Sequence, residues 1–340
     1  MRGRESSRVR LAVVVLVIAA AVVALVGWLA SPSTKQSQAT VRSTSQETGV
    51  TVGPGQSSRP HGVTTSPSTA VSVPTTDQGD TTPEPSSAVV RPPGFAGFSE
   101  KELKALSEPL PAAPHKVTVP VLMYHYVDEE PPPAGPYADP LTVRTPDFID
   151  QLQYLATHGY HTVTLAEVYL AMAGMRELPE KPVVLTFDDG GLDNYTVAFP
   201  LLRKYGFVAV FFVISKRIGA DGQMNWDQLR EMASSGMHIQ SHTVSHPDLR
   251  DVSDARLRSE LEDSRRTISE GVSQPGYVLA YPGGSYNARV IEATRAAGYV
   301  MAVTTDHGRP VDPQAPFEIR RLRVPAFMSV SEFARLVKPR

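Results

Sequence analysis

The chain has 340 residues, 41% of them hydrophobic, with 35 acidic against 33 basic side chains, a formal net charge of -2 and no cysteine. Balanced charge excludes the clustered Lys and Arg excess that sequence-independent nucleic-acid binding requires, so no nucleic-acid partner is expected. Without cysteine there is no disulfide scaffold, thiolate zinc site, iron–sulfur cluster or cysteine nucleophile, and any metal must be held by His, Asp or Glu.

Residues 11–30 are apolar apart from one glycine and follow Arg2, Arg4, Arg8 and Arg10. At 1.5 Å per residue such a run spans roughly 30 Å, the thickness of a bilayer core. The positive-inside bias then leaves a basic segment, 1–10, in the cytoplasm and the remainder outside. The expectation is an uncleaved transmembrane signal anchor over 11–30, giving a single-pass location in the cell membrane with an extracellular catalytic domain. A cleaved signal peptide, which would leave the protein secreted, competes; its apolar region is usually about 7 to 15 residues long.

Residues 31–94 contain no Leu, Ile, Met, Phe, Tyr or Trp. Such a stretch cannot bury enough apolar area to offset the entropy of ordering. Residues 31–115 therefore read as a Ser/Thr/Pro-rich disordered tether, with a short helix over 99–108, and 116–340 as the folded domain.

In that domain short apolar runs alternate with helical periodicity. Residues 117–124, 183–187, 208–214, 238–241, 277–281 and 300–304 read as buried strands. Residues 145–158, 195–205, 226–235, 254–270 and 288–297 read as helices, several stopping at a glycine. Repeated strand and helix implies an α/β fold with parallel strands, either an open sheet or a barrel, whose chemistry sits at the C-terminal strand ends.

The strand over 183–187 ends in Asp188-Asp189-Gly190-Gly191. Adjacent carboxylates repel unless a cation neutralises one of them, whereas a solvated Asp-Gly turn is the plain alternative. After the strand at 238–241, His242 and His246 are spaced to place two imidazoles on one face of a helical turn, suitable for one zinc ion. Two His and one Asp form a three-ligand site with a position left for water. The other Asp is then free to act as base.

Thr186-Phe187-Asp188-Asp189-Gly190 followed by Ser241-His242-Thr243-Val244-Ser245-His246 resembles the first two motifs of the polysaccharide deacetylases, the NodB-homology family or carbohydrate esterase family four. The resemblance runs from about residue 117 to the C-terminus and is nearest to the exported poly-N-acetylglucosamine deacetylase branch. It implies a distorted (β/α) barrel that removes N-acetyl groups from N-acetylglucosamine polymers with a divalent metal, usually zinc, with Co2+ or Ni2+ as alternatives. Asp188 matches the catalytic base, and Asp189, His242 and His246 match the metal ligands.

Two later motifs depart from the pattern. The usual Arg-x-Pro-Tyr reads Ala280-Tyr281-Pro282-Gly283, so the Arg that buttresses the base is missing, although Tyr281, Pro282 and Gly283 keep a fixed backbone beside the mouth as a substrate or oxyanion contact. The usual Leu-x-His near the C-terminus reads Leu322-Arg323-Val324, without the general acid. The first strand ends in Met123-Tyr124-His125, and in a closed barrel the first and last strands are neighbours. His125 is therefore expected as a relocated acid, oriented by Asp306, with His307 as the alternative; Arg320, Arg321 and Arg323 are equal candidates for the lost buttress. Tyr281, Tyr286 and Trp226 are candidate sugar-stacking aromatics.

The expected activity is metal-assisted hydrolysis of N-acetyl groups on a poly-N-acetylglucosamine, peptidoglycan or chitin-like chain. A polysaccharide O-acetyl esterase and a non-catalytic tethered glycan-binding module stay open. No G-x-S-x-G elbow supports a serine hydrolase.

Overall fold

The computed structural model describes residues 94–129, 138–308 and 310–338. The chain divides into two units, Met1–Asp80 and Thr81–Arg340, and the described residues all lie in the second.

Apolar runs form the strands β1 (Val121–Tyr124), β2 (Pro182–Phe187), β3 (Val210–Val213), β4 (His238–Ser241), β5 (Val278–Ala280), β6 (Met301–His307) and β7 (Ile319–Arg323). Each pairs in parallel with the next, and β7 pairs back onto β1, so the sheet closes into a barrel with His161–Thr162 added beside β2. The single strand expected over 117–124 is two pieces. Val117–Thr118 pairs antiparallel with Pro310–Val311, and β1 begins only after Pro120, which has no N–H for a ladder.

Strand alternation sorts the core into an inside and an outside. Val184 joins Val121, Val210, Phe212, Val278, Val303 and Ile319, drawn from strands all around the barrel, in the interior cluster. Val183, Leu185 and Phe187 of β2 face the other way, into a cluster shared with the surrounding helices. The longer helices are α1 (Glu100–Ala105), α2 (Thr145–Thr157), α3 (Leu165–Met172), α4 (Phe199–Tyr205), α5 (Trp226–Ser234), α6 (Asp254–Val272), α7 (Ala288–Ala296) and α8 (Val330–Val337); α2, α4, α5, α6 and α8 contribute to this outer cluster, whereas α1 and α3 join the cluster of Val184 and α7 a third. Capping boxes start α3 at Thr164/Glu167, α5 at Asn225/Gln228 and α8 at Ser329/Glu332. On α2, Phe148, Leu152 and Leu155 are fully buried, each worth about 1.5–3 kcal/mol.

The barrel is distorted where β4 meets β5, whose only register pair is Ser241↔Leu279. Side chains substitute for the missing ladder. Gln240 Oε1 accepts from Tyr277 N–H (3.1 Å) and Val278 N–H (3.3 Å), and its Nε2 donates to the Pro275 carbonyl (3.0 Å). Gln274 binds Ile239 N–H and the Met237 carbonyl, each at 2.8 Å. Below this seam the packed body begins earlier than the domain start expected at 116: Phe95, Phe98, Ala105 and Leu106 are buried. Phe95 stacks on His238 at 4.1 Å, and His238 lies between Tyr277 Oη (2.8 Å) and the Gly94 carbonyl (3.1 Å).

The expected transmembrane helix over 11–30 and residues 31–93 of the tether expected over 31–115 fall outside the described residues. Among those described, no helix is long and apolar enough to cross a membrane. The longest, α6, has 19 residues but carries charged groups along its length, from Asp254 to Glu270. The expectation of a transmembrane element, a membrane partner and a single-pass cell-membrane location is corrected to what the described residues support, the distorted parallel barrel with its helices.

Candidate active site

The barrel places every expected motif at the same end. Tyr124 of β1 and Phe187 of β2 are register partners, so the residues that follow them meet beyond the strand ends. Asp188 N–H donates to the Tyr124 carbonyl (3.1 Å), and His125 Nε2 stands 4.0 Å from Asp188 Oδ2. The His125 backbone is tethered too. Asn194 Nδ2 donates to its carbonyl (2.8 Å), and Asp193 Oδ2 accepts from Val127 N–H (2.7 Å). Burial lowers the His125 pKa, against the opposing pull of the Asp188 and Asp189 carboxylates.

Asp189, His242 and His246 converge next to this pair. Asp189 Oδ1 lies 3.6 Å from His242 Nε2 and 3.7 Å from His246 Nε2. Two ligands about 2.1 Å from one ion at a tetrahedral angle would stand about 3.4 Å apart, so the donor set fits a single divalent metal. His242 Nδ1 meets the Ala280 carbonyl at 2.8 Å, which makes Nδ1 the protonated nitrogen and turns the Nε2 lone pair to the cluster. Burial and the neighbouring His242 push His246 down to about 4, so it is the neutral imidazole that a metal requires. Tyr126 Oη donates to Asp189 Oδ2 (3.0 Å), leaving Oδ1 for the imidazoles. Asp189 (φ 77), Thr243 (φ 66) and His246 (φ 61) occupy the left-handed region, so the two histidines sit on a strained loop, not on the expected helical turn, and surrounding contacts must hold that strain. Gly191 leaves room for Asp193 and Tyr126, since a Cβ there would run into Asp193 Oδ1 and crowd the Tyr126 ring at 3.2 Å.

Arg321 of β7 projects inside the barrel, fully buried. Its Nη1 and Nη2 donate to Asp188 Oδ1 (2.8 Å) and Oδ2 (2.7 Å), Nη1 also reaches Thr186 Oγ (3.0 Å), and Nε donates to the Thr304 carbonyl (2.8 Å). Burial alone would raise Asp188, but the Arg321 charge and hydrogen bonds outweigh it and hold this carboxyl well below the usual carboxylate range. Of the three candidate arginines, Arg321 is the one that grips Asp188.

Other expected residues are placed elsewhere. Asp306 is exposed and accepts from Tyr286 Oη (3.2 Å); among the described residues no hydrogen bond or ion pair joins it to His125. His307 is also exposed. The Tyr281 ring is buried and stacked on Tyr286 at 5.2 Å, and its N–H is taken by the Val303 carbonyl, so it offers a sugar neither a face nor a donor. Pro282 has no N–H, and Gly284 N–H bonds back to the Tyr281 carbonyl, leaving Gly283 as the donor to consider in this turn. Trp226 packs against α6 at Gly271.

Comparison with known proteins agrees with this constellation. The family model for polysaccharide deacetylase matches residues 175–302. A putative polysaccharide deacetylase of Bacillus subtilis, YxkH, is 34% identical over 220 residues, covering 65% of this chain and 76% of its own. The chain belongs to the polysaccharide deacetylase family. This deacetylase also resembles the solved structure of the Streptococcus pyogenes deacetylase PplD in complex with acetate, with a TM-score of 0.61 and 32% identity over 66% of this chain and 100% of that one. The poly-beta-1,6-N-acetyl-D-glucosamine N-deacetylase of Escherichia coli K12 is 28% identical over 58% of this chain, which spans only 36% of that protein. Relatives thus fall in several branches, and the expected kinship with one branch broadens to the family. Family and site together make the protein a metal-dependent hydrolase of carbon–nitrogen bonds that deacetylates an N-acetylated sugar polymer.

Of the residues that shape the deacetylase site, Arg321 is one of three candidates in the sequence, whereas Tyr126, Asp193 and Asn194 are not singled out there. Alternation along Ile319-Arg320-Arg321-Leu322-Arg323 puts Arg321 on the face of buried Ile319, a signal that narrows the buttress to Arg321 or Arg323. Tyr126, Asp193 and Asn194 carried no comparable signal, because their partners are 63 to 69 residues away.

Proposed function

We propose that this deacetylase removes acetyl groups from N-acetylglucosamine units of a poly-N-acetylglucosamine-type chain, with Zn2+ held by Asp189, His242 and His246. The observation that carries the reading is the approach of His125 to Asp188 beside the three ligands, which supplies an acid and a base to one face of the cluster. A divalent ion held by these three residues would supply Lewis-acid polarisation of the acetyl carbonyl and acidification of the attacking water.

Asp188 accepts the proton of the attacking water as the new C–O bond forms. Arg321 keeps that carboxylate ionised and locks both of its oxygens, so the base is oriented before substrate arrives. His125 delivers a proton to the departing nitrogen as the C–N bond breaks, yielding acetate and a free amine. Gly283 N–H is assigned to the developing negative charge on the carbonyl oxygen. The acid and the buttress absent from their usual motifs are thus met by residues on neighbouring strands, which weighs against a binding module that has lost its chemistry.

The test is acetate release from β-1,6-linked and β-1,4-linked N-acetylglucosamine oligomers, peptidoglycan and acetylated xylan. Release fastest on the β-1,6 oligomer and abolished by Asp188→Asn supports the proposal. Preference for peptidoglycan or chitin oligomers would reassign the polymer, and release from xylan alone would favour the O-acetyl esterase.

A further inference from the structure

We propose that Glu260, on α6, is a positioning residue for the metal centre: its carboxylate clamps the loop that carries His246, and the reach of the side chain, not its charge, sets metal affinity. The proposal rests on the metal reading of Asp189, His242 and His246.

The loop from His242 to His246 does not support itself. Two of its residues, Thr243 and His246, have positive φ, a conformation that costs roughly 1–3 kcal/mol per residue and persists only when neighbours enforce it. Its polar groups are met from outside or by its own short side chains. Thr243 N–H donates to Ser241 Oγ and His246 N–H to Thr243 Oγ1, both at 3.1 Å. The carbonyls of Thr243 and Val244 accept from Ser215 N–H (3.1 Å) and Lys216 N–H (3.0 Å).

Ser245, immediately before the ligand, is held by Glu260 through two bonds. Its N–H donates to Oε2 (2.8 Å) and its hydroxyl to Oε1 (2.5 Å). Four residues on, and so on the same face of α6, Ser264 shares a hydrogen bond with Ser241 Oγ (2.8 Å) at the end of β4. One helix face therefore fixes the loop just ahead of each histidine, Ser264 ahead of His242 and Glu260 ahead of His246. Glu260 is buried, with Arg256 Nε 3.5 Å from Oε1. A buried carboxylate committed to a backbone N–H beside a metal-binding residue resembles the outer groups that orient ligands, whose loss typically weakens metal binding about 10–100-fold.

The experiment uses the full chain stripped of metal, checked for folding by circular dichroism, with Co2+ titrated by its visible absorption and Zn2+ affinity measured against a chromophoric chelator. Glu260→Ala and the charge-conserving but shorter Glu260→Asp are expected to bind about 10–100-fold more weakly, with altered Co2+ bands. Glu260→Gln, which keeps the length and an oxygen acceptor for Ser245 N–H, is expected to stay near the parent protein. Unchanged affinity in both Ala and Asp variants overturns the clamp. So does an Asp variant like the parent with a Gln variant like Ala, which would assign the effect to charge. If Glu260→Ala does not fold, the Asp and Gln variants decide the matter. A parent protein that binds neither ion sinks the three-ligand reading instead.

Discussion

Arg321 and Asp188, 133 residues apart in sequence, form a fully buried two-pronged ion pair at 2.8 and 2.7 Å inside the barrel. Neither group is stable there alone, because an uncompensated buried charge costs several kcal/mol. The guanidinium fork both neutralises the carboxylate and dictates its plane. Arg321→Ala is expected to destabilise the fold by about 3–5 kcal/mol and to lower acetate release by about 10²-fold or more. Arg321→Lys retains the charge without the fork, so it should recover stability more than rate. Urea unfolding and steady-state kinetics on the same preparations check both.

His125 is expected to matter in proportion to how poor the leaving group is. Loss of a general acid costs about 10²–10⁴-fold, and that cost falls on an amide, whose nitrogen cannot leave unprotonated. His125→Ala should therefore be severely impaired on N-acetylglucosamine oligomers but nearly normal on p-nitrophenyl acetate, whose phenolate leaves unaided. Equal losses on the two substrates would show that His125 serves folding or binding.

Tyr126 holds the Asp189 oxygen that the imidazoles do not face. Tyr126→Phe is expected to retain the fold and to release Zn2+ to a competing chelator about tenfold more readily, in line with the loss of one orienting contact. Chelation of the parent protein should stop acetate release, and readdition of Zn2+ or Co2+ should restore it.

A pH effect on stability is expected far from the chemistry. Burial pushes His238 down to about 4 from its ordinary 6.5, so the folded chain holds it neutral. Because the unfolded chain takes up the proton first, the contribution is complete above about pH 6.5 and is lost as pH falls toward 4, up to about 3 kcal/mol. Denaturant unfolding between pH 7 and 5 should show this slope in the parent protein and a shallower one in His238→Gln.

Six of the seven barrel strands, six of the eight helices and the spacing of the two candidate metal-binding motifs were legible in the sequence, since they depend on local periodicity, whereas β7, α3 and α8 were not among the expected elements. Asp188-Asp189 at the end of one apolar run and His242 and His246 after another needed only the rule that such ends share a rim. The membrane-spanning expectation, by contrast, rested on residues 11–30 and found no helix of that kind among those described. Other assignments were beyond any local reading. Alternation sets Arg320 apart but leaves Arg321 and Arg323 equal, and only closure of β7 against β1 and β6 puts Arg321 inside, level with Asp188, while Arg320 and Arg323 are exposed. Asp306 was matched to His125 by motif order, yet its chain position carries it outward to Tyr286. A strand's sequence states which side chains alternate, but depth along the barrel and the identity of the facing residue are set by register with the neighbouring strands, one of which, β1 beside β7, lies far away in the sequence.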